Sequence, residues 1–192
     1  MNPISTFVTK FDQLNLWDKK VELERKEHLK IKGSIDTNLY FVKSGSLRIY
    51  VLEEFEENCI RFGYKNNFIA ALDSFITEKP SDLYIQAIKK TELKVIRKTT
   101  FMRFVQSSIE YSNTWQQMLG ELIYQQMERE RDILTSSPLE RYKRVLARSP
   151  QLFQEIPNKH IASYLRMTPE TLSRLKKSWS KSMFYNWFTS NF

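Results

Sequence analysis

The sequence contains very few of the residues from which catalytic and metal sites are most often built. Among 192 residues there are one cysteine, Cys59, and two histidines, His28 and His160. A single cysteine excludes an internal disulfide framework and a four-cysteine iron–sulfur cluster. Two histidines leave no plausible Ser-His-Asp grouping or metal-spaced set, and there is no glycine-rich phosphate loop. We therefore predict a protein that is not an enzyme, with no catalytic residues, metal site or cofactor, although a pair of catalytic carboxylates stays open.

Long hydrophobic runs are also missing. No stretch of 18 apolar residues occurs, so we predict neither a membrane-spanning helix nor a membrane partner. The first residues, MNPISTFVTKF, lack the basic-then-apolar pattern of a secretory signal, so we expect a cytoplasmic protein. Hydrophobic residues make up 41% of the chain, which is enough for real cores, and the length allows one large or two small domains.

Positive charge is concentrated at one end of the chain. Residues 138–192 hold ten basic and three acidic side chains, whereas residues 1–137 hold 20 and 19. Because nucleic-acid binding draws its affinity from phosphate neutralisation, this asymmetry favours a DNA-binding segment at that end. A solvated basic face that aids solubility is the alternative. The apolar stripe is too short for a membrane-surface helix.

The segment Asn158–Lys177 reads as two short helices joined by a tight turn. Thr168 is a good N-cap for the second helix, and Pro169 occupies the first helical position, where its missing N–H costs nothing. Leu172 and Leu175 have the spacing of an inward face. This arrangement is typical of a helix-turn-helix, whose second helix reads the DNA major groove with its N-terminal residues.

The outward residues of this segment suit contacts with DNA. Arginine can bond guanine at two atoms, glutamate can accept from cytosine, and threonine or serine can reach base edges or phosphates. The candidate DNA-binding residues are Lys159, Thr168, Pro169, Glu170, Thr171, Ser173, Arg174 and Lys177. An ordinary helical hairpin with a solvated polar face remains the alternative.

The first half of the chain changes from a helical pattern to a strand pattern. Residues 2–28 are predicted to be helical. The next residues alternate with period two, and Leu39–Val42 and Leu47–Val51 are predicted to form a hairpin around a turn at 43–46. Further strands are expected at Cys59–Tyr64, Leu83–Ile88 and Glu92–Ile96. Short strands with frequent turns indicate an all-β barrel or roll.

Helical periodicity resumes after Thr99. A short helix is predicted for Thr100–Ser107, a long one for Ser112–Ser136 and another for Leu139–Ala147, with a hinge at Ser136-Ser137-Pro138. The long helix carries an apolar seam that suits a dimer interface. The candidate interface residues are Trp115, Met118, Leu119, Leu122 and Ile123. A helix that packs only on its own domain is the alternative.

Taken together, these segments resemble the Crp/Fnr superfamily of bacterial transcription regulators. LYFVKSGSLRIY (Leu39–Tyr50) is similar to the first β-roll hairpin of the family, and IASYLRMTPETLSR (Ile161–Arg174) to its recognition module. The resemblance implies an α+β fold with a cyclic-nucleotide-binding-like β-roll (a jelly roll) at residues 1–110. A long dimerisation helix at 111–136 and a winged-helix-like helix-turn-helix domain at 137–192 would follow it.

The resemblance also implies roles for single residues. Glu170 and Arg174 would contact base edges, and Thr168 and Thr171 would bind phosphate or base. Arg166 stands where the family usually has glycine, and a left-handed conformation there would cost roughly 1 kcal/mol. Double-stranded DNA and a second copy of the chain are the implied partners, and RNA polymerase is a further candidate.

The expected effector pocket departs from the family pattern. Cyclic-AMP-binding members cradle the phosphate and ribose with a Gly-Glu pair and an Arg-Ser pair, because the chemistry needs close backbone N–H groups, a carboxylate and a guanidinium. Here Ala70-Ala71 takes the place of the first pair, and Pro80-Ser81 or Ser81-Asp82 that of the second. The candidate pocket residues are Phe68, Ile69, Ala70, Ala71, Leu72, Ser81 and Asp82. We therefore expect no cyclic AMP binding in the usual mode; the effector is unknown.

The prediction from the sequence is a homodimeric, sequence-specific DNA-binding regulator. The alternative on the same fold is a ligand-free roll, which would make the protein a constitutive DNA binder or a protein-interaction module. The C-terminal tail, Trp179–Phe192, carries six aromatic residues in fourteen. It could complete the core of the small domain, cap a partner subunit or be disordered in isolation.

Overall fold

The computed structural model describes residues 3–178, and the aromatic tail lies outside the described residues. Contacts divide the chain into two compact units, with the boundary between Met127 and Glu128. The helices are α1 Pro3–Gln13, α2 Leu72–Thr77, α3 Lys98–Gln106, α4 Ile109–Leu134, α5 Pro138–Arg148, α6 Leu152–Glu155, α7 Asn158–Tyr164 and α8 at 169–178. The strands are β1 Lys19–Leu23, β2 His28–Lys30, β3 Leu39–Glu53, β4 Glu56–Tyr64, β5 Phe68–Ile69 and β6 Tyr84–Ile96.

The first unit is built on one antiparallel sheet of six strands. Its main path runs β1-β6-β3-β4, with β2 also paired to β6 and β5 to β3. The two long central strands, β3 and β6, pair with each other from Leu39 opposite Ile96 to Tyr50 opposite Tyr84. The predicted mixture of a β-roll with helices is therefore confirmed.

The predicted hairpin at Leu39–Val51 is wrong, because these residues form one long strand. Both halves of β3 pair with β6, and the register shifts between Val42 and Leu47. Gly45 has φ +88°, and a Cβ there would lie 2.4 Å from the Lys90 carbonyl oxygen of β6. The glycine therefore serves a bulge inside the strand rather than a turn between two strands. The two strands predicted over Leu83–Ile96 are likewise one, β6.

The predicted helix over residues 2–28 is also wrong beyond its first half. Helix α1 ends at Gln13, and Asn15 has φ 51°, a left-handed conformation that stops a helix. The next charged residues form β1, which adds to the edge of β6 with Lys19 opposite Val95. Only Leu23 of this strand is buried, so its side chains give little alternation of polarity to recognise.

Two hydrophobic cores hold the first unit together. One lies between the strands, where Leu47, Ile85 and Leu93 are fully buried. The other is largely aromatic and is formed by the helices around Phe7 and Phe11, which are both fully buried. The Phe11 and Phe104 rings meet edge to face, with their centroids 4.9 Å apart. Burial of several such rings fixes α1 and α3 against the sheet.

The second unit contains the end of α4 and helices α5 to α8. Its buried apolar residues are Tyr142, Val145, Leu152, Ile156, Ile161, Ala162, Leu165 and Leu172. Helix α5 begins at Pro138 and is capped by Ser137, whose side chain accepts from the Glu140 amide. Within residues 3–178, no helix is long and apolar enough to cross a membrane. The same residues contain no group of three or more His, Cys, Asp or Glu side chains placed to hold a metal ion.

Candidate functional site

Helices α7 and α8 form the two-helix motif that the sequence predicts. Ile161, Leu165 and Leu172 are fully buried, which places the apolar face of both helices in the core of the unit. Thr168 acts as the N-cap of α8, since its side-chain oxygen accepts a hydrogen bond from the Thr171 amide at 3.2 Å. Because Leu172 is buried and Thr168 caps the helix, α8 is fixed with its opposite face in solvent.

The turn between the two helices contains the left-handed residue. Arg166 has φ 53°, so an arginine adopts here the left-handed conformation that glycine takes most easily. The Met167 amide donates to the Ala162 carbonyl at 3.0 Å, which closes the end of α7. The strain of the turn is tolerated because the surrounding hydrogen bonds fix it.

The outward face of α8 is polar and open. Glu170, Ser173, Arg174 and Lys177 are exposed, and Thr171 is half-buried. Together with Pro169, the four exposed residues line an open concavity of about 580 Å³. Thr168 and Lys159 are also exposed, Lys159 on α7. Seven of the eight candidate DNA-binding residues are therefore exposed.

Not all of the basic residues in this unit are available to a ligand. Asp132 has no exposed side-chain surface and binds two guanidinium groups, Arg144 at 2.9 Å and Arg148 at 2.5 Å. Arg144 also binds Glu128 at 3.0 Å. The guanidinium of Arg129 lies 3.9 Å from the centre of the Tyr164 ring, and burial lowers its pKa. These arginines therefore stabilise the unit by contacts within it. A count of basic residues in the sequence cannot distinguish such arginines from those that bind a ligand.

The predicted effector-pocket residues surround the start of α2 and are closely packed. Ile69 and Ala71 belong to the core between the strands, and Ala70 is buried in the aromatic core. A Cβ on Gly63 would lie 2.4 Å from the Ile69 Cγ2 atom, so Ile69 packs directly on the backbone of β4. Phe68 and Leu72 are half-buried, Ser81 is buried and Asp82 is exposed.

Asp73 is the residue of this region that the sequence analysis missed. The Ser81 hydroxyl donates to Asp73, 2.8 Å from each carboxylate oxygen, and the Asp82 amide donates to Oδ2 at 3.0 Å. The carboxylate of α2 therefore binds the same two positions that were expected to hold a ligand. Nothing in the spacing indicates this pair, because an aspartate in the first turn of a helix is common.

Lys30 is a buried lysine that is influenced by the charges of the Asp73 and Asp36 carboxylates. Lys30 donates from Nζ to the Ser34 carbonyl at 2.7 Å and to the Ser34 hydroxyl at 3.0 Å. Burial lowers the pKa of Lys30, while the charges of Asp36 and Asp73 raise it. The Ser81 amide donates to the Ser34 carbonyl at 3.1 Å, so the loop before β3 is tied to the loop before β6.

Helix α4 presents two kinds of apolar residue. Trp115 and Met118 pack against the aromatic core of their own unit, with the Trp115 ring 4.9 Å from the Phe101 ring. Leu119 and Leu122 are half-buried, and Ile123 is 61% exposed. Tyr124 and Met127, which were not among the candidate interface residues, are also more than half exposed. The free apolar surface therefore lies about two turns further along α4 than the start of the predicted seam.

Comparisons with known proteins agree with this fold. Residues 20–108 match the family described as the cyclic nucleotide-binding domain. A comparison with curated protein sequences finds no match.

Several solved structures share the fold over most of the chain. A mutant of CooA from Carboxydothermus hydrogenoformans aligns with 89% of this chain and 79% of its own, at 18% identity and a TM-score of 0.68. FixK2 from Bradyrhizobium japonicum aligns over 85% of each chain at 17% identity and 0.67. CLP of Xanthomonas campestris, described as a c-di-GMP-responsive global regulator, covers 93% of this chain and 92% of its own at 14% identity and 0.65. Residues 20–108 thus match the cyclic nucleotide-binding domain, and over most of its length the chain shares the fold of CooA, FixK2 and CLP.

Proposed function

We propose that this protein is a sequence-specific DNA-binding transcription regulator that acts as a homodimer. The observation that carries the proposal is the outward face of α8, where Glu170, Arg174 and Lys177 are exposed side by side on a capped helix with a buried seam. Arg174 suits guanine, Glu170 suits cytosine and Lys177 suits phosphate. Both Arg174 and Lys177 are exposed and line the same concavity, which offers their charges to a ligand.

A two-fold dimer fits both the DNA and the exposed surface of α4. Ile123, Tyr124 and Met127 lie on one side of the helix, and a Cβ on Gly120 would meet nothing within 4 Å. Glycine inside a helix costs roughly 1 kcal/mol relative to alanine, so its place beside an apolar patch favours close approach of a second helix. Two copies of α8 would then enter successive major grooves of a near-palindromic site. RNA polymerase is proposed as a further partner.

The effector is proposed to be something other than cyclic AMP. Ala70 and Ala71 offer no carboxylate for a ribose hydroxyl. Ser81 and Asp82 stand where an arginine would be needed for the cyclic phosphate. The carboxylate of Asp73 also brings negative charge to the place where a cyclic phosphate would be held. Because like charges repel, this carboxylate disfavours an anionic ligand there.

The second candidate is a roll that needs no ligand. The same Asp73–Ser81 contact supports it, since the chain satisfies these polar groups by itself. The protein would then bind DNA constitutively or serve as a protein-interaction module. Unchanged DNA affinity across a metabolite panel would favour this candidate, and the panel should include cyclic di-GMP because CLP is described as responsive to it.

Selection of bound sequences from a random duplex library, repeated at two salt concentrations, tests the proposal. A two-fold-symmetric consensus with a steep salt dependence is expected, because a dimer presents two equivalent helices and neutralises several phosphates. No enrichment at either salt concentration, with or without the metabolite panel, would contradict DNA recognition by α8.

A further inference from the structure

Arg141 connects two separate stretches of main chain in the second unit. It lies on α5 and is only 9% exposed. Its guanidinium donates to the carbonyl oxygens of Thr135 at 2.6 Å, Ser136 at 3.1 Å, Leu165 at 2.9 Å and Arg166 at 3.1 Å. The first two belong to the connection after α4, and the last two to the turn before α8. One side chain thus bonds the predicted hinge and the helix-turn-helix turn at the same time.

These four carbonyl groups lie where the chain offers them no regular partner. Helix α4 ends at Leu134 and α7 at Tyr164, so the carbonyls just beyond each end have no helical N–H to accept from. A guanidinium carries five N–H donors in a planar fork, which can serve several acceptors at once. A lysine head is a compact point charge that cannot span both pairs.

The neighbours of Arg141 are fixed as well. Asp132 binds Arg144 and Arg148 of α5, and Arg129 stacks on Tyr164 at the end of α7. The last turns of α4, helix α5 and the turn after α7 are therefore bonded to one another. The direction in which α8 leaves this turn depends on a main chain that Arg141 holds at Leu165 and Arg166.

We propose that Arg141 is a positioning residue for DNA recognition. It fixes the turn so that the base-facing side chains of α8 are presented in one orientation relative to the end of α4. The inference rests on the proposed DNA-binding function, and it assigns to Arg141 a role other than phosphate contact. Its side chain is buried and its donors are bonded to main-chain oxygens, so its charge is not offered to DNA.

Two variants and one matched control separate these roles. Arg141→Gln removes the guanidinium, and Arg141→Lys keeps the charge but not the fork. Arg131→Gln removes the same charge from an exposed residue, since the Arg131 side chain is 67% exposed and its partner Glu128 is also paired with Arg144. In the full-length chain, hydrogen exchange would be followed at the backbone amides of residues 165–172, apart from Pro169, which has no N–H. Affinity would be measured for the selected duplex and for random DNA at two salt concentrations.

If Arg141 positions α8, its replacement should reduce the preference for the specific site over random DNA, without weakening binding to all DNA as the loss of a phosphate contact would. For both Arg141 variants we expect faster exchange at residues 165–172 and a fall in specific affinity of at least about tenfold, equivalent to about 1.4 kcal/mol. Affinity for random DNA and its salt dependence should match the Arg131→Gln control. If Arg141→Gln unfolds the unit, as circular dichroism would show, Arg141→Lys carries the test.

Three results would overturn the inference. These are wild-type behaviour of Arg141→Lys, equal losses on specific and random DNA, and unchanged exchange at residues 165–172. If the wild-type protein has no specific site at all, the proposed function fails. The exchange measurement then decides by itself whether Arg141 positions α8.

Discussion

Ser81 and Asp73 lie eight residues apart, and the Ser81 hydroxyl is 2.8 Å from both carboxylate oxygens of Asp73. Ser81 is almost completely buried, so this hydrogen bond is made inside the protein, where an unmade one is costly. The pair joins α2 to the segment that leads into β6. Ser81 is one of the residues predicted from the sequence to line the effector pocket, and Asp73 adjoins Leu72, which is another.

Cyclic AMP is therefore expected to bind very weakly or not at all. The ligand would meet the Asp73 carboxylate without gaining an arginine or a glutamate at the matching positions. Titration calorimetry with the full-length protein should give no heat of binding, or a dissociation constant in the range of about 1 mM. A micromolar constant would show that the Asp73–Ser81 pair opens for the ligand, contrary to this prediction.

Removing the Asp73 carboxylate should destabilise the first unit. In Asp73→Ala the buried Ser81 hydroxyl and the Asp82 amide lose their acceptor, and such a loss costs about 1–3 kcal/mol. Urea unfolding monitored by circular dichroism would measure it. Asp82→Ala is the control, because its side chain is 81% exposed and pairs with Lys32 only at the surface. The control should lose less than about 1 kcal/mol; equal losses would mean that the buried contact is not special.

Much of the helical part of the fold could be predicted because its signals are local. The cap at Thr168, the proline at 169 and the spacing of Leu172 and Leu175 are readable within about two turns of helix, and the structure places α8 at 169–178. The aromatic spacing of Phe7 and Phe11 likewise predicts α1, although not its end. What such signals leave open is which other part of the chain each residue contacts.

The contacts that the sequence did not reveal are long-range. Arg141 contacts residues 24 and 25 positions away, and Gly45 lies against Lys90 and Thr91. The pattern around Gly45 is the same for a turn and for a bulge, because both need a positive φ. Only the pairing of both halves of β3 with β6 decides between them. A count of basic residues likewise could not distinguish the buried Arg141 from the exposed Arg174, because burial depends on long-range contacts.

The bulge at Gly45 should tolerate no side chain. Alanine there would place its Cβ 2.4 Å from the Lys90 carbonyl oxygen and from the Thr91 hydroxyl, at φ +88°. Strain and overpacking together predict a loss of about 2 kcal/mol or more. Gly33→Ala is a matched control, because Gly33 has φ +85° and nothing within 4 Å of its Cβ position. The control should lose only about 1 kcal/mol. Similar midpoints of urea unfolding for the two variants would contradict the bulge packing.

A charge on the exposed face of α4 should weaken the proposed dimer. Ile123→Glu would place a carboxylate in the apolar patch beside Tyr124 and Met127, and desolvating it should raise the dimer dissociation constant at least about tenfold. Sedimentation equilibrium would measure the change. Ile109→Glu is the control, since Ile109 is 78% exposed at the first position of the same helix. A wild-type monomer would contradict the proposed dimer, and an Ile123→Glu dimer as tight as the wild type would place the interface elsewhere.

Arg174 and Lys177 should differ in how they affect DNA binding. Arg174→Ala is expected to cost about 1–3 kcal/mol on the selected site and to relax specificity at one base position, because a guanidinium bonds guanine at two atoms. Lys177→Ala should weaken binding to all sequences and lower the salt slope by about one. Arg103→Ala, an exposed arginine of α3 in the first unit, controls for loss of a positive charge anywhere on the chain. Titrations of each variant with the selected duplex and with random DNA would measure both effects. Because phosphate contacts carry no sequence information, equal losses on the two duplexes for both variants would mean that Arg174 also contacts only the backbone.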